Sequence, residues 1–275
     1  MCSSDLAAQQ TGLPVGIPVS TAIHDQYAGV LGAGSVRAGD VYIGTGTAWV
    51  LLANTAALAE PVARGTFVCR HTVDGLGGQM LSMTNGGSAL DWVLSLVARA
   101  DAKRQAVDEA LAGVAPGSAG LCFWPLLAAS AEVGLGRSVG RRLDGLTLGH
   151  TPQHLIRAAV EGLACELVRH LRLLTDAGLP VHRLILCGGA AASEVTPQII
   201  ADLAERPVAC VTEPSVSALG AAVIARTLVE PDASLPALAE RLAPHCRTVA
   251  PGPAATVYRQ LLERYLEPFG PGCPR

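Results

Sequence analysis

The second half of the chain alternates between helices and strands, and this order restricts the fold more than any other feature. A long helix is predicted at residues 151–178. Thr151 can cap its start, Pro152 fits its first turn, and Gly178 suits the left-handed position after its end. Apolar residues recur along it at helical spacing, at Leu155, Ile156, Ala159, Val160, Leu163, Leu167, Leu171 and Leu174. The helix therefore presents one long apolar stripe to a core.

The residues after this helix predict a parallel sheet covered by helices. Strands are expected at 183–187 and 208–211, and helices at 197–204 and 215–228. Strands that alternate with helices in this way pair in parallel and bury both faces of their sheet. We therefore expect an α/β fold.

The first half of the chain predicts an antiparallel meander. A helix is expected to begin near Asp25, a second to cover residues 88–112, and the glycine-rich segment 113–150 to be mostly loop. Strands are expected at 15–22, 41–43, 48–52 and 66–73. A meander followed by alternating elements is the order of a ribonuclease H-like α/β lobe.

Composition excludes several classes of function. With a net charge of −3 and 4% aromatic residues, the chain lacks the positive surface and the stacking platforms of a nucleic-acid-binding protein. Its longest apolar runs are too short to cross a bilayer, and the first residues lack the features of a signal peptide. The eight cysteines include no C-x-x-C pair and predict buried free thiols. We therefore expect a soluble cytoplasmic protein with neither a nucleic-acid nor a membrane partner.

One stretch near the start carries the residues for a possible chemistry. Asp25 lies about twenty residues before a Gly-Thr-Gly-Thr turn at residues 44–47, between two β-prone runs. Backbone N–H groups and hydroxyls of such a turn can bind an anion, and a carboxylate can accept a proton, so the pair suggests phosphoryl transfer. From the residues alone, Asp25 could equally cap the following helix, and the turn could be an ordinary β-turn.

Seven segments, in order, resemble the FGGY carbohydrate kinases. They are TGLPVGIPV with HDQYAGVLGAG, then GDVYIGTGTAW, GGSALDW, GLTLGHTPQHLIRAAVEGLA, LILCGGAAAS and SALGAAVIA. The resemblance covers about residues 11 to 228 and is to the C-terminal, nucleotide-binding lobe of that family. It implies the actin-like ATPase fold found in sugar kinases and actin, with 12–229 as the ATP-binding domain. Residues 1–11 would then be a hinge remnant, and 230–275 a C-terminal helical extension with helices at its surface.

The resemblance also implies a role for particular residues. Asp25 would be the general base on a sugar hydroxyl. Gln26 would contact the substrate or simply occupy an exposed helix position, and His24 would pack against or orient this turn. ATP with Mg2+ would bind between two loops, whose matching residues are Gly44, Thr45, Gly46 and Thr47 in the first and Gly188, Gly189, Ala190 and Ser193 in the second. No metal ligand is assigned to this chain. Ala218 to Ala222 would form a small-residue helix that either closes the pocket or allows close packing.

Two departures from the family limit what the resemblance implies. After GLCFWPLL the chain has Ala128-Ala129-Ser130-Ala131-Glu132 in place of a Gly-Glu-Arg-x-Pro motif. Family members are also about twice as long, with an N-terminal lobe that supplies another phosphate loop and most sugar contacts. We therefore expect half of a kinase for a ketose or polyol, inactive alone, with an apolar face that favours association with that lobe or as a homodimer. The alternative is a non-catalytic ATP-binding or interaction module of the same fold.

Overall fold

The computed structural model of the chain describes residues 4–21, 23–83, 85–101, 103–127 and 142–270. The strands are β1 Asp40–Thr45, β2 Trp49–Thr55, β3 Phe67–Arg70, β4 Gly77–Met83, β5 Cys122–Trp124, β6 Arg142–Asp144, β7 Arg183–Gly188, β8 Val208–Val211 and β9 Arg247–Val249. The α-helices are α1 Ser4–Thr11, α2 Asp25–Gly32, α3 Gly86–Val97, α4 Lys103–Gly113, α5 Pro152–Asp176, α6 Thr196–Ala204, α7 Val216–Arg226, α8 Leu235–Leu242 and α9 Ala255–Leu266. Over this part of the chain, none of the helices could span a membrane.

The main sheet has the order β3-β4-β2-β1-β7-β8-β9. Strands β1 to β4 pair in antiparallel fashion, whereas β1, β7 and β8 are parallel. Side chains of β1 alternate between the faces: Val41 and Ile43 join the larger core with α5, while Tyr42 joins a smaller core with α2. Helices α2 and α7 pack closely together, because added Cβ atoms on Gly32 and Gly220 would overlap backbone of the opposite helix.

The structure confirms the long helix and the alternating elements after it. Helix α5 covers Pro152–Asp176, Gly178 follows it with φ +76°, and Arg157 Nε lies 2.8 Å from Glu161 Oε1. The hairpin of β1 and β2 is also confirmed. The segment 215–228 forms α7, and its Gly220 packs against Ala28 of α2. The small residues of α7 therefore allow close packing, which is one of the two roles expected for them.

Four predictions in the first half were wrong or incomplete. No strand forms in the described part of 15–22, where Pro18 lacks an N–H donor and Gly16 has φ +84°. The helix at 88–112 is two helices, because Ala98 is extended with φ −122° and ψ 153°. Strand β3 is shorter than expected. Strand β4 was missed, since it begins with two glycines, which weaken the strand pattern.

The C-terminal segment belongs to the same layers as the rest of the lobe. Strand β9 pairs with β8 at the edge of the sheet, and α9 buries Tyr258, Leu262 and Tyr265 in the larger core. The Trp124 indole donates a hydrogen bond of 2.9 Å to the Tyr265 carbonyl. Helix α9, which was expected at the surface, therefore packs one face into the core. The segment also contains a strand as well as helices.

Most of the cysteines that the structure describes are buried thiols, as predicted. Cys122, Cys165, Cys187 and Cys210 are buried and free, Cys69 is half-buried, and Cys246 is exposed. Burial raises the pKa of the Cys187 thiol to about 12, so it is neutral at physiological pH. The departure from the family motif at residues 128–132 lies outside the described residues. Arg142 packs over the Trp124 ring.

Candidate functional site

Thr45 joins the two glycine-containing loops at one edge of the main sheet. Its carbonyl accepts a hydrogen bond from Gly189 N–H at 3.0 Å, and its hydroxyl accepts one from Ala190 N–H at 3.0 Å. The same hydroxyl donates to the Cys187 carbonyl at 2.6 Å. Ligands of open α/β sheets bind at the carboxyl ends of strands, which is where β1 and β7 end side by side. Thr45 therefore holds the loops in place, and its hydroxyl is already occupied.

The turn at residues 44–47 also contacts the start of α3. The carbonyls of Gly46 and Thr47 accept hydrogen bonds of 3.0 Å from the N–H groups of Gly87 and Ser88. A Cβ on Gly87 would lie 2.5 Å from the Gly46 carbonyl oxygen, so glycine is required at this contact. Gly46 and Thr47 are exposed, and within the described part of the chain neither the N–H nor the hydroxyl of Thr47 has a partner. Thr47 is therefore free to donate to an anion.

The second loop follows β7 and leads into α6. Gly188 has φ +87°, and a Cβ there would lie 2.5 Å from the Thr45 carbonyl oxygen. Gly189 and Ala190 follow, their N–H groups bound to Thr45. The Ser193 hydroxyl oxygen accepts a hydrogen bond from Thr196 N–H at 3.1 Å and another from the Thr196 hydroxyl at 2.9 Å. Ser193 therefore anchors the first turn of α6, and its hydroxyl hydrogen remains for a ligand.

A cavity of about 310 Å3 lies between the two loops. Its polar wall is formed by Thr45, Gly46, Thr47, Gly87, Asp91, Gly189, Ala190, Ser193 and Thr196, and its apolar wall by Trp49, Leu90, Val107, Val160 and Leu163. A cavity that combines an apolar wall with polar groups is typical of sites for small organic ligands. A larger groove of about 840 Å3 lies between α5, α6 and α9, but none of the loop residues lines it.

Asp91 is a residue of the cavity to which the sequence assigned no role. It lies in the GGSALDW segment on α3, and Lys103 Nζ of α4 is 3.1 Å from its carboxylate. The motif itself contains Asp91, but an acidic residue on an exposed helix face is usually only solvated, so nothing in the sequence was a reason to assign it a role. The structure places this carboxylate at the rim of the cavity.

The first turn of α2 lies next to the end of β1. A Cβ on Gly44 would be 3.3 Å from Gln26 Oε1, so the fold brings Gln26 to the turn although the two are far apart in sequence. Asp25 Oδ1 accepts a hydrogen bond of 2.8 Å from Gln26 N–H, while His24 Nδ1 is 3.1 Å from the same oxygen. The Asp25 side chain is nevertheless 73% exposed. Asp25 therefore shares the Gln26 N–H with His24, the N-cap of α2, and remains accessible to an alcohol.

Comparison with known proteins finds that the chain is similar to carbohydrate kinases. A family described as the FGGY family of carbohydrate kinases, C-terminal domain, matches residues 40–228. L-fuculokinase of Escherichia coli K12 is 30% identical over 222 residues, which are 79% of this chain and 45% of that enzyme. Gluconokinase of Bacillus subtilis 168 is 29% identical over 238 residues, with 81% and 45% covered. The chain thus spans about half the length of the curated relatives it matches.

The fold agrees with that of a solved sugar kinase. The structure of xylulose kinase from Rhodospirillum rubrum superimposes with a TM-score of 0.80 at 30% identity, over 96% of this chain and 55% of the kinase. The α/β lobe of the actin-like ATPase fold, expected from the sequence, is confirmed. The family match begins at residue 40, so Asp25 and Gln26 lie before it.

Proposed function

This chain belongs to the FGGY family of carbohydrate kinases, and we propose that it supplies the nucleotide-binding half of an enzyme that transfers a phosphoryl group from ATP to a sugar hydroxyl. The observation that carries the proposal is the meeting of three features at one sheet edge. These are the turn at 44–47, the loop at 188–190 and the carboxylate of Asp25. They are distant in sequence, and Thr45 and Gln26 connect them in space.

The cavity suits the two chemically different parts of a nucleotide. Its apolar wall, with Trp49, Leu90 and Leu163, can cover a base, and the flat surface of Gly189 leaves room for a ribose. The phosphates would then extend along the turn, where Thr47 offers two unpartnered donors. Donors already fixed in position stabilise developing charge without reorganising during the reaction.

Asp25 is the candidate general base. Its carboxylate is exposed beside the turn, and a base in contact with an alcohol proton contributes roughly 10²–10⁴ in rate. Mg2+ usually binds through one or two carboxylates together with phosphates and water. Among the described residues no three His, Cys, Asp or Glu side chains cluster, and we propose that the metal arrives with the nucleotide.

We further propose that the chain requires an N-terminal lobe for activity, and that the acceptor is a ketose or polyol. The relatives that it matches act as fuculokinase, gluconokinase and xylulose kinase by name, and the chain spans 45% of the first two. Phosphoryl transfer needs the acceptor and the phosphate held in line, and an open lobe does not enclose them.

Filling the cavity tests the nucleotide assignment. A Cβ on Gly189 would meet only the Thr45 carbonyl oxygen at 3.7 Å, so Gly189→Leu should fold normally while its side chain occupies the cavity. Isothermal titration with ADP should give measurable binding for the unaltered chain and at least about tenfold weaker binding for this variant. Gly113→Leu is the matched control, since nothing lies within 4 Å of its Cβ position.

Two results would change the proposal. Equal ADP affinity of the Gly189→Leu and Gly113→Leu variants would place the nucleotide elsewhere. ADP binding without sugar-dependent turnover, after the chain is joined to the N-terminal lobe of a relative and assayed with a panel of sugars, would favour a non-catalytic nucleotide-binding module.

A further inference from the structure

Tyr42 is a buried tyrosine whose hydroxyl has no hydrogen-bond partner in the described part of the chain. It lies in the middle of β1, is 4% exposed and belongs to the smaller core between the sheet and α2. Buried tyrosine hydroxyls normally find a partner, because an unmade hydrogen bond in the interior is costly. The Tyr42 ring is buried, but its hydroxyl oxygen is not one of the buried polar atoms that lack a partner, so its tip is open to a water molecule or a ligand.

Two glycines leave space for this hydroxyl beside the candidate site. A Cβ on Gly29 of α2 would lie 2.5 Å from the phenol oxygen, and a Cβ on Gly44 would lie 3.0 Å from it. The Gly44 position is also 3.3 Å from Gln26 Oε1. Because neither glycine has a side chain, the hydroxyl extends to the gap between the first turn of α2 and the end of β1.

The phenol is a donor at physiological pH. Burial raises the pKa of Tyr42 well above its usual value, and the nearby Cys187 thiol and Asp25 carboxylate raise the pKa further. The oxygen that it would bind must therefore accept a hydrogen bond. Phosphate oxygens only accept, and a neutral donor next to Asp25 offsets part of the repulsion between the carboxylate and a phosphate.

The position of Tyr42 relative to the cavity indicates which phosphate of a nucleotide it would contact. Gly189 and Ser193 line the cavity that would hold the base and ribose, and Thr47, which also lines it, would contact the phosphates. Tyr42, Asp25 and Gln26 do not line it. They lie at the α2 end of the turn. The cavity is lined by Val160 and Leu163 of α5, and Tyr42 lies on the α2 face of the sheet, so only the last phosphate of a nucleotide that passes over the end of β1 could reach Tyr42.

We propose that the Tyr42 hydroxyl donates a hydrogen bond to an oxygen of the terminal phosphoryl group of a bound nucleoside triphosphate. This inference rests on the proposed function and adds a residue that distinguishes the triphosphate from the diphosphate. Tyr42 would contact the group that is transferred from the α2 face of the sheet.

The Tyr42→Phe variant tests the inference, because it removes only the hydroxyl. We expect the Kd for the non-hydrolysable analogue AMP-PNP, measured by isothermal titration, to rise about tenfold, or about 1.4 kcal/mol. The Kd for ADP should change less than about twofold. The unfolding midpoint in urea should stay the same or rise, because no internal hydrogen bond is lost.

Tyr27→Phe is the matched control from the same core. Its hydroxyl lies 2.5 Å from Cys69 Sγ, away from the turn, so its removal should lower stability and leave the ratio of the two affinities unchanged. Equal effects of Tyr42→Phe on both nucleotides, no effect on either, or a stability loss equal to that of Tyr27→Phe would overturn the role of Tyr42 and leave the proposed function standing. If the unaltered chain binds neither nucleotide, both the proposed function and this inference fail.

Discussion

Two polar regions of the molecule differ in how completely their hydrogen bonds are satisfied. The first is the buried cluster around Glu161. That carboxylate accepts hydrogen bonds from Arg157 Nε at 2.8 Å, Gly117 N–H at 2.9 Å, the Ser118 hydroxyl at 2.8 Å and the Tyr258 hydroxyl at 3.2 Å. These bonds join α5 to α9 and to the turn before β5. A charge buried with this many donors serves to hold elements together.

The second region is the sheet edge at the end of β1, where donors are left over. Thr45 is fully used to join the two loops, but Thr47 and Tyr42 have donors without a partner among the described residues. Asp25 is exposed beside them. Polar groups of similar type thus have different tasks: satisfied groups fix the fold, and unsatisfied ones beside the candidate site mark the place of a ligand.

The largest expected effect is that of Asp25→Asn on turnover. In a two-lobed enzyme made by joining the chain to the N-terminal lobe of a relative, loss of the base should reduce kcat by about 10²–10⁴. ADP affinity and the urea midpoint should not change, because asparagine can still accept the hydrogen bond from Gln26 N–H. Asp232→Asn, at an exposed turn, is the control. Turnover retained by the Asp25 variant would remove this residue from the base role.

Glu161→Gln should have the opposite pattern, with a loss of stability and no loss of nucleotide binding. Removing the charge leaves the Arg157 guanidinium buried without its carboxylate, which costs about 3–5 kcal/mol of unfolding free energy. Urea denaturation measures this loss, and Glu230→Gln, in an ion pair at the surface, should cause a far smaller one. A fall in ADP affinity of the folded variant would show that the two regions are coupled and would break the comparison.

The sequence predicted the fold well where side-chain patterns are strong and local. Helix α5 carries a cap, a proline and a continuous apolar stripe, so its limits could be predicted closely. The limits of strand β4 could not be predicted in this way. Its first residues, Gly77 and Gly78, must be glycine because of the groups that surround them in the folded chain. A Cβ on Gly77 would lie 2.5 Å from the Ala57 carbonyl oxygen, and one on Gly78 would overlap the Tyr27 hydroxyl. Such a requirement exists only in the folded protein.

The site was predictable as a set of residues but not as a set of roles. Gly44 to Thr47, Gly188 to Ala190 and Asp25 were named from motifs, and the structure brings these segments to one edge. Motifs could not show that the Thr45 hydroxyl is occupied while that of Thr47 is not, since this depends on the pairing of β1 with β7. Tyr42 gave no signal, because in sequence it is an ordinary residue of a buried strand.

The smallest effect is expected at His71. This residue limits the comparison, because one of its ring nitrogens lacks a hydrogen-bond partner although the residue does not lie at the candidate site. Its Nδ1 accepts a hydrogen bond of 2.9 Å from Val73 N–H, its Nε2 is buried without a partner, and it packs against Tyr27. Burial lowers its pKa to about 4, below the usual value near 6.5. As the pH falls from about 6.5 to 4, the unfolded chain binds this proton before the folded one does, so stability decreases through that window.

The His71→Asn variant should remove about 2 kcal/mol of the stability loss between pH 7 and pH 5, because asparagine can accept from Val73 N–H but does not titrate. His170, whose burial lowers its pKa to about 3, is present in both proteins and cancels in the difference. Urea midpoints at the two pH values measure the effect, with the exposed His24→Asn as control. Identical pH dependence of the His71 variant and the unaltered chain would mean that His71 is accessible to protons. In that case water would reach the Nε2 nitrogen in the folded chain, and His71 would no longer be an exception to the comparison.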